Sequence, residues 1–219
     1  MPASMKSKLI VALDVDSYDR AAELVRQLRD DVEVFKVGSQ LFTRTGPRIV
    51  EFINTQGRQC FLDLKFHDIP NTVAKAVESA AALRVAMLTV HVAGGEQMLR
   101  AASQVSDRPL LLGVTVLTSV AGDVQAEVVR RAQLAKDCGL DGVIASPREI
   151  RELRRAMGEP FLIVAPGIRP AGEDAGDQKR VMTPRDAIAA GASYIVVGRP
   201  IVADREPRAA AQRILREMA

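Results

Sequence analysis

The sequence predicts an α/β fold: a (β/α)8 TIM barrel of eight parallel strands, each followed by a helix, as a single domain over residues 1–219. Three observations carry this. Short apolar runs alternate with helix-period segments eight times, at a spacing of roughly 25 residues, long enough for each helix to cross back between parallel strands. Hydrophobic residues make up 47% of the chain while aromatics make up only 4%, with no Trp, so the apolar mass is Val, Ile, Leu and Ala, as in strands covered on both faces. Several strand runs also end in charge, at the end where barrel enzymes carry their active sites. A doubly wound open sheet fits the same alternation and stays open as the structural alternative. No GxGxxG follows the first strand, which counts against a dinucleotide-binding version of it.

In chain order, "KLIVALDV" (8–15) is a continuous apolar run that reads as a buried strand. Ser17 can cap the helix that follows, whose stripe is Ala21, Leu24, Val25 and Leu28. "VEVFKVG" (32–38) is the second strand, and "GPRIVEFINTQG" (46–57) a helix stopped by Gly57. "QCFLDLKF" is the third strand, with a helix from about Asn71 to Leu83. "AMLTVHV" (86–92), "PLLLGVTVLT" (109–118), "DGVIAS" (141–146), "PFLIVAPG" (160–167) and "ASYIVVGR" (192–199) are the remaining strands. The helices between them are "EQMLRAASQV", a segment over about 123–137, "PREIRELRRAM" with Pro147 in its first turn, and "TPRDAIAAG" (183–191). "REPRAAAQRILREM" closes the chain.

The bulk properties narrow the function classes. A net charge of +3 is mild and spread along the chain, which suits a small anionic substrate better than nucleic acid. No aromatic-plus-basic stacking pattern accompanies it, so RNA binding is a distant reading. Cys60 and Cys138 lie far apart without CxxC spacing and read as buried reduced thiols. No apolar run reaches the length of a membrane span, and "MPASMKSK" lacks a signal-peptide apolar region, so the expectation is a cytoplasmic protein with no membrane partner.

The candidate chemistry sits at the strand ends. Asp63 and Lys65 alternate onto one face of the third strand, with Leu64 and Phe66 on the other. Asp14 ends the first strand and Lys36 lies late in the second, so a barrel brings all four to its C-terminal mouth, with Asp68 just after on the loop. A buried ion network serving stability alone is a poor account, because desolvated ion pairs seldom improve on apolar packing. At the other end of the chain, the Gly/Pro/Asp-rich loop 165–184 and "VVGRP" (196–200) follow the seventh and eighth strands. Loops at that place often bind phosphate, and Arg199 adds a planar bidentate donor.

"DLKFHDIPNT" (63–72) resembles the catalytic signature of the orotidine 5′-monophosphate decarboxylase family. Supporting matches run in the family's order along essentially the whole chain: "ALDV" (12–15), "FKVG" (35–38), "VLTS" (116–119), the 165–184 loop and "VVGRP". The Asp-x-Lys-x-x-Asp core belongs to a wider suprafamily, while "IPNT" and "PGIRP…GDQ" are far more specific. The resemblance implies a homodimeric barrel that converts orotidine 5′-monophosphate to uridine 5′-monophosphate and CO2 in de novo UMP synthesis, with no metal or organic cofactor. By position it implies Lys65 as proton donor to C6, Asp63 beside the substrate carboxylate, and Lys36 and Asp14 on the ribose within the charge network. Asp68 and Thr72 are implied to reach the partner subunit's site, with Ile69 beside them as a substrate-binding residue. Thr118 and Pro166 are implied near the substrate, Gln178 bridges base and phosphate, and Arg169, Gly198 and Arg199 hold the phosphate and its loop. His67 reads, like His91, as packing or loop support. One departure is a connection between "VLTS" and "CGLDGV" that looks shorter than in many bacterial members, which bears on rim contacts and not on the chemistry.

Two rival readings stay open. A sugar-phosphate aldolase such as hexulose-6-phosphate synthase shares the barrel and the Asp-x-Lys-x-x-Asp core. It would need Mg²⁺ and an added carboxylate ligand, whereas the second strand here offers Lys36. A non-catalytic nucleotide-binding protein would bind UMP without turnover, and the intact set of five charged residues argues against such decay.

Overall fold

The computed structural model describes residues 8–116, 124–170 and 182–219. Among them, eight strands are hydrogen-bonded in chain order: Leu9–Ala12 (β1), Val34–Gly38 (β2), Gln59–Phe66 (β3), Met87–His91 (β4), Leu110–Val114 (β5), Gly142–Ile144 (β6), Leu162–Ala165 (β7) and Tyr194–Val197 (β8). Every pairing is parallel, and β1 pairs with both β2 and β8, so the sheet closes. Closure sets aside the doubly wound alternative, whose edge strands stay unpaired. The strands are shorter than their apolar runs because each pairs with its neighbours over only a few residues before the chain turns into a loop. Asp14 and Val15, for example, lie past the end of β1.

The helices are Tyr18–Leu28 (α1), Ser39–Thr45 (α2), Arg48–Thr55 (α3), Pro70–Ala82 (α4), Gly95–Ser103 (α5), Gln125–Asp137 (α6), Ile150–Met157 (α7), Pro184–Ala189 (α8), Arg199–Val202 (α9) and Pro207–Met218 (α10). Ser17 caps α1 by accepting the Arg20 N–H, and the expected stripe of Ala21, Leu24, Val25 and Leu28 is buried. Two helices depart from the sequence expectation. Helix α2 escaped the periodicity because Leu41 alone among its residues is buried; it stops at Gly46, whose φ of 57° favours glycine. Arg199 was expected in the eighth strand, but it opens α9, where Pro200 in the first turn favours a helix start.

Two apolar layers fill the barrel. An outer one packs the strands against the helices, and it includes Cys60 and Cys138, both free thiols and both buried. Burial pushes the Cys60 thiol up to about 12, which keeps it inert. The inner layer is a plug of Ile10, Ala12, Val34, Phe61, Met87, Leu112, Val164 and Val196. Charge also closes the ring: Arg208 on α10 donates to buried Asp31, just past α1, at 2.7 Å. Among the described residues, no helix is long and apolar enough to cross a membrane.

Candidate active site

Strand register decides what rises above the plug. Ala12 pairs with Lys36, Lys36 with Phe61, and Phe61 with Met87. Partners in a parallel pairing face the same side, so Lys36 starts in the plug layer, and Asp63, two residues above Phe61, stands over it. The Lys36 ammonium reaches Asp14 Oδ1 at 2.9 Å and Asp63 Oδ2 at 3.7 Å. Lys65 Nζ lies 2.9 Å from both oxygens of Asp63. Asp14, Lys36, Asp63 and Lys65 thus form one unbroken chain of alternating sign. Gly38 makes room for it, since a Cβ there would lie 3.1 Å from Lys36 Nζ and 3.3 Å from Asp14 Oδ1. Burial by itself would raise the Asp63 carboxyl. Lys36 and Lys65, with hydrogen bonds from Lys65 and Thr89, outweigh burial and hold it below its ordinary 3.8.

Lys65 does not arrive by simple alternation, and here the sequence reading is corrected. Its φ is 52°, and the pairing of β3 with β4 shifts between Leu62 and Phe66. A bulge of this kind re-aims a side chain, and a left-handed lysine costs about 1–3 kcal/mol that its surroundings must offset. The Lys65 N–H donates to the Thr89 hydroxyl at 2.9 Å, and that hydroxyl donates to Asp63 Oδ1 at 2.9 Å. Thr89 is fully buried on β4 and was missed from sequence. The signal was available: it is the one hydroxyl in "MLTVH", at the inward position two residues after the plug residue Met87.

The four ions line a cavity of about 490 Å³ at the C-terminal mouth, which Pro166, Arg169, Gly198 and Arg199 also line. The structure therefore brings eight of the expected residues to one cavity. Arg169 is 9% exposed and its Nη1 donates to the Ile168 carbonyl. A short parallel bridge joins Ile168 to Met182, with Arg169 N–H donating to the Met182 carbonyl at 3.1 Å, so both ends of the expected phosphate loop are tied to the barrel. Thr118 and Gln178 lie outside the described residues, as does the start of the short connection after "VLTS".

Asp68, Ile69 and Thr72 do not line the cavity of their own chain. All three are exposed, Ile69 at 66%, and Asp68 Oδ1 accepts the Ile69 N–H at 2.7 Å. His67 is exposed and its ring lies 5.4 Å from that of half-buried His91, off the cavity wall. Burial, then His67, Lys65 and Arg131, hold His91 below the ordinary imidazole value.

The geometry can bind an anion at the β7–β8 side while presenting an ammonium and a carboxylate to its other end. The sequence profile described as the Orotidine 5'-phosphate decarboxylase / HUMPS family matches residues 7–214. The Orotidine 5'-phosphate decarboxylase of Syntrophotalea carbinolica is 51% identical over 100% of this chain and 98% of its own length. That of Moorella thermoacetica is 48% identical over 97% of this chain and 92% of its own. The crystal structure of Orotidine 5'-phosphate decarboxylase from Lactobacillus acidophilus matches with a TM-score of 0.85 at 39% identity, covering 97% of this chain and 99% of that one. A profile match along nearly the whole barrel, with relatives about half identical over their full length, places this chain in the Orotidine 5'-phosphate decarboxylase / HUMPS family.

Proposed function

We propose that the chain is an orotidine 5′-phosphate decarboxylase, a carboxy-lyase that converts orotidine 5′-monophosphate to UMP and CO2 for pyrimidine biosynthesis, without metal or organic cofactor. The observation that carries this is the unbroken Asp14–Lys36–Asp63–Lys65 chain at the mouth, in a cavity that two arginines also line. The family description also covers a second group, and the full-length curated relatives of this chain favour the decarboxylase.

Loss of CO2 breaks the bond between C6 and the carboxyl carbon and leaves the electron pair on C6. No carbonyl is adjacent to take that pair as an ordinary enolate. The Lys65 ammonium stabilises the developing charge and donates a proton to C6, and the amine it leaves regains a proton from solvent. Asp63 faces the substrate carboxylate, and their repulsion is relieved as neutral CO2 departs. Lys36 and Asp14 hold the ribose, and Lys36 keeps Asp63 charged. The phosphate, far from the breaking bond, is held on the Arg169, Gly198 and Arg199 side, and its binding energy draws the mouth closed.

The enzyme acts as a single domain in the cytoplasm and as a homodimer, with Asp68 and Thr72 directed into the partner subunit's site and no nucleic acid or membrane partner. The 66% exposed Ile69 between them supports this, as an apolar side chain that a second copy would cover. The deciding assay is loss of orotidine 5′-monophosphate absorbance with purified protein, with and without EDTA. Turnover indifferent to EDTA is expected. Absence of turnover, or Mg²⁺-dependent activity on ribulose 5-phosphate instead, would overturn the assignment.

Arg199→Ala tests the phosphate side. It is expected to lower kcat/KM by about 10- to 100-fold, the worth of a charged hydrogen bond, while every group near C6 is retained. Unchanged kcat/KM would place the phosphate elsewhere.

A further inference from the structure

We propose that Thr89 is a positioning residue whose single hydroxyl sets both halves of the Asp63–Lys65 pair. The inference rests on the decarboxylase reading and adds a residue to it. Because the β3–β4 register shifts between Leu62 and Phe66, the Lys65 N–H finds a side chain instead of a strand carbonyl: the Thr89 hydroxyl at 2.9 Å. The same oxygen donates its proton to Asp63 Oδ1 at 2.9 Å. A hydroxyl can accept and donate at once, and here each capacity is spent on a different partner. The acceptor lone pair holds the lysine in its left-handed backbone, at φ 52°. The donor proton fixes the rotation of the Asp63 carboxylate, which in turn receives Lys65 Nζ on both oxygens. Thr89 is fully buried, so water cannot take either role.

Thr89 touches no part of the cavity directly and acts through its two neighbours. The rest of the Asp63 surroundings are Lys36 on β2, Asp14 beyond it, Lys65 on β3 and His91 on β4. These remain when the hydroxyl is removed, so the effect of Thr89 is separable from theirs.

The test is Thr89→Val, which keeps shape and removes the hydroxyl, beside Thr89→Ser, which keeps the hydroxyl. Thr89→Val is expected to lower kcat about 10- to 100-fold, with little change in UMP affinity, because two hydrogen bonds to the pair are lost and the phosphate side is untouched. The acid limb of kcat should move to higher pH in Thr89→Val, since Asp63 loses a donor to its charged form. Thr89→Ser should restore both to near the wild-type values. If Thr89→Val does not fold, Thr89→Ala against Thr89→Ser makes the same comparison. Wild-type kcat in the valine or alanine variant, or an equal fall in the serine variant, would overturn the role. Hydrogen exchange at the Lys65 amide reads the same claim without turnover: protected in wild type and Thr89→Ser, fast in Thr89→Val. An inactive wild type with that exchange pattern would count against the decarboxylase alone, while uniform protection in all three would count against Thr89.

Discussion

Lys65→Ala is expected to lower kcat by about 10⁴-fold or more, measured by the fall in orotidine 5′-monophosphate absorbance under saturating substrate. Two losses combine in one residue: the proton donor, worth about 10²–10⁴, and the cation that stabilises charge at C6, worth about 10²–10³. They overlap, so the product is an upper bound. UMP binding should change far less, because the phosphate is proposed to sit on Arg169 and Arg199, which this substitution leaves in place. The fold should survive, since the Lys65 side chain is about a third exposed and Asp63 keeps Lys36 and Thr89 as partners. A variant with wild-type kcat would remove Lys65 from the chemistry.

Asp63→Asn is the second large effect, with kcat about 10³-fold lower. The amide cannot repel the departing carboxylate, and it offers Lys65 one acceptor oxygen where the carboxylate offered two. This substitution also changes stability. The folded-state value of Asp63 lies below its ordinary 3.8, so its contribution to stability is present above the unfolded value and is lost as pH falls through the folded one. At neutral pH the substitution should cost up to about 3 kcal/mol, the low end for breaking a buried pair, because Lys36 keeps Asp14 at 2.9 Å. Urea unfolding at pH 7 should show that gap and should show it closing in strong acid. A gap that stays constant across pH would mean that Asp63 is not held ionised by its neighbours.

Strand parity made much of this site readable in advance. Asp14, Lys36 and Asp63 occupy positions that follow from counting by two up strands whose lower residues are apolar, and a closed barrel gathers such positions at one mouth. Lys65 reached the site for a different reason from the one alternation suggests. Nothing in "DLKF" announces a left-handed lysine, because the bulge is set by what β4 offers across the strand. Thr89 was hidden by its own chemistry, since threonine is a favoured strand residue and its hydroxyl passes unnoticed in an apolar run. The helix Ser39–Thr45 was missed because periodicity needs several buried positions and it has one. The roles proposed for Asp68 and Thr72 would depend on a second copy, which strand counting within one chain does not supply.

The cavity also has an electrical shape. Its β1–β3 wall carries two ammonium groups and two carboxylates, which cancel formally, while the described part of its β7–β8 wall carries Arg169 and Arg199. Beneath both lies a floor of aliphatic and aromatic side chains. In the proposed decarboxylase such a surface would act on a diffusing nucleotide as a compass, drawing its dianionic end towards the arginines and its ring over the balanced quartet. Orientation would then begin during approach, before Lys36 and Asp14 take hold of the ribose.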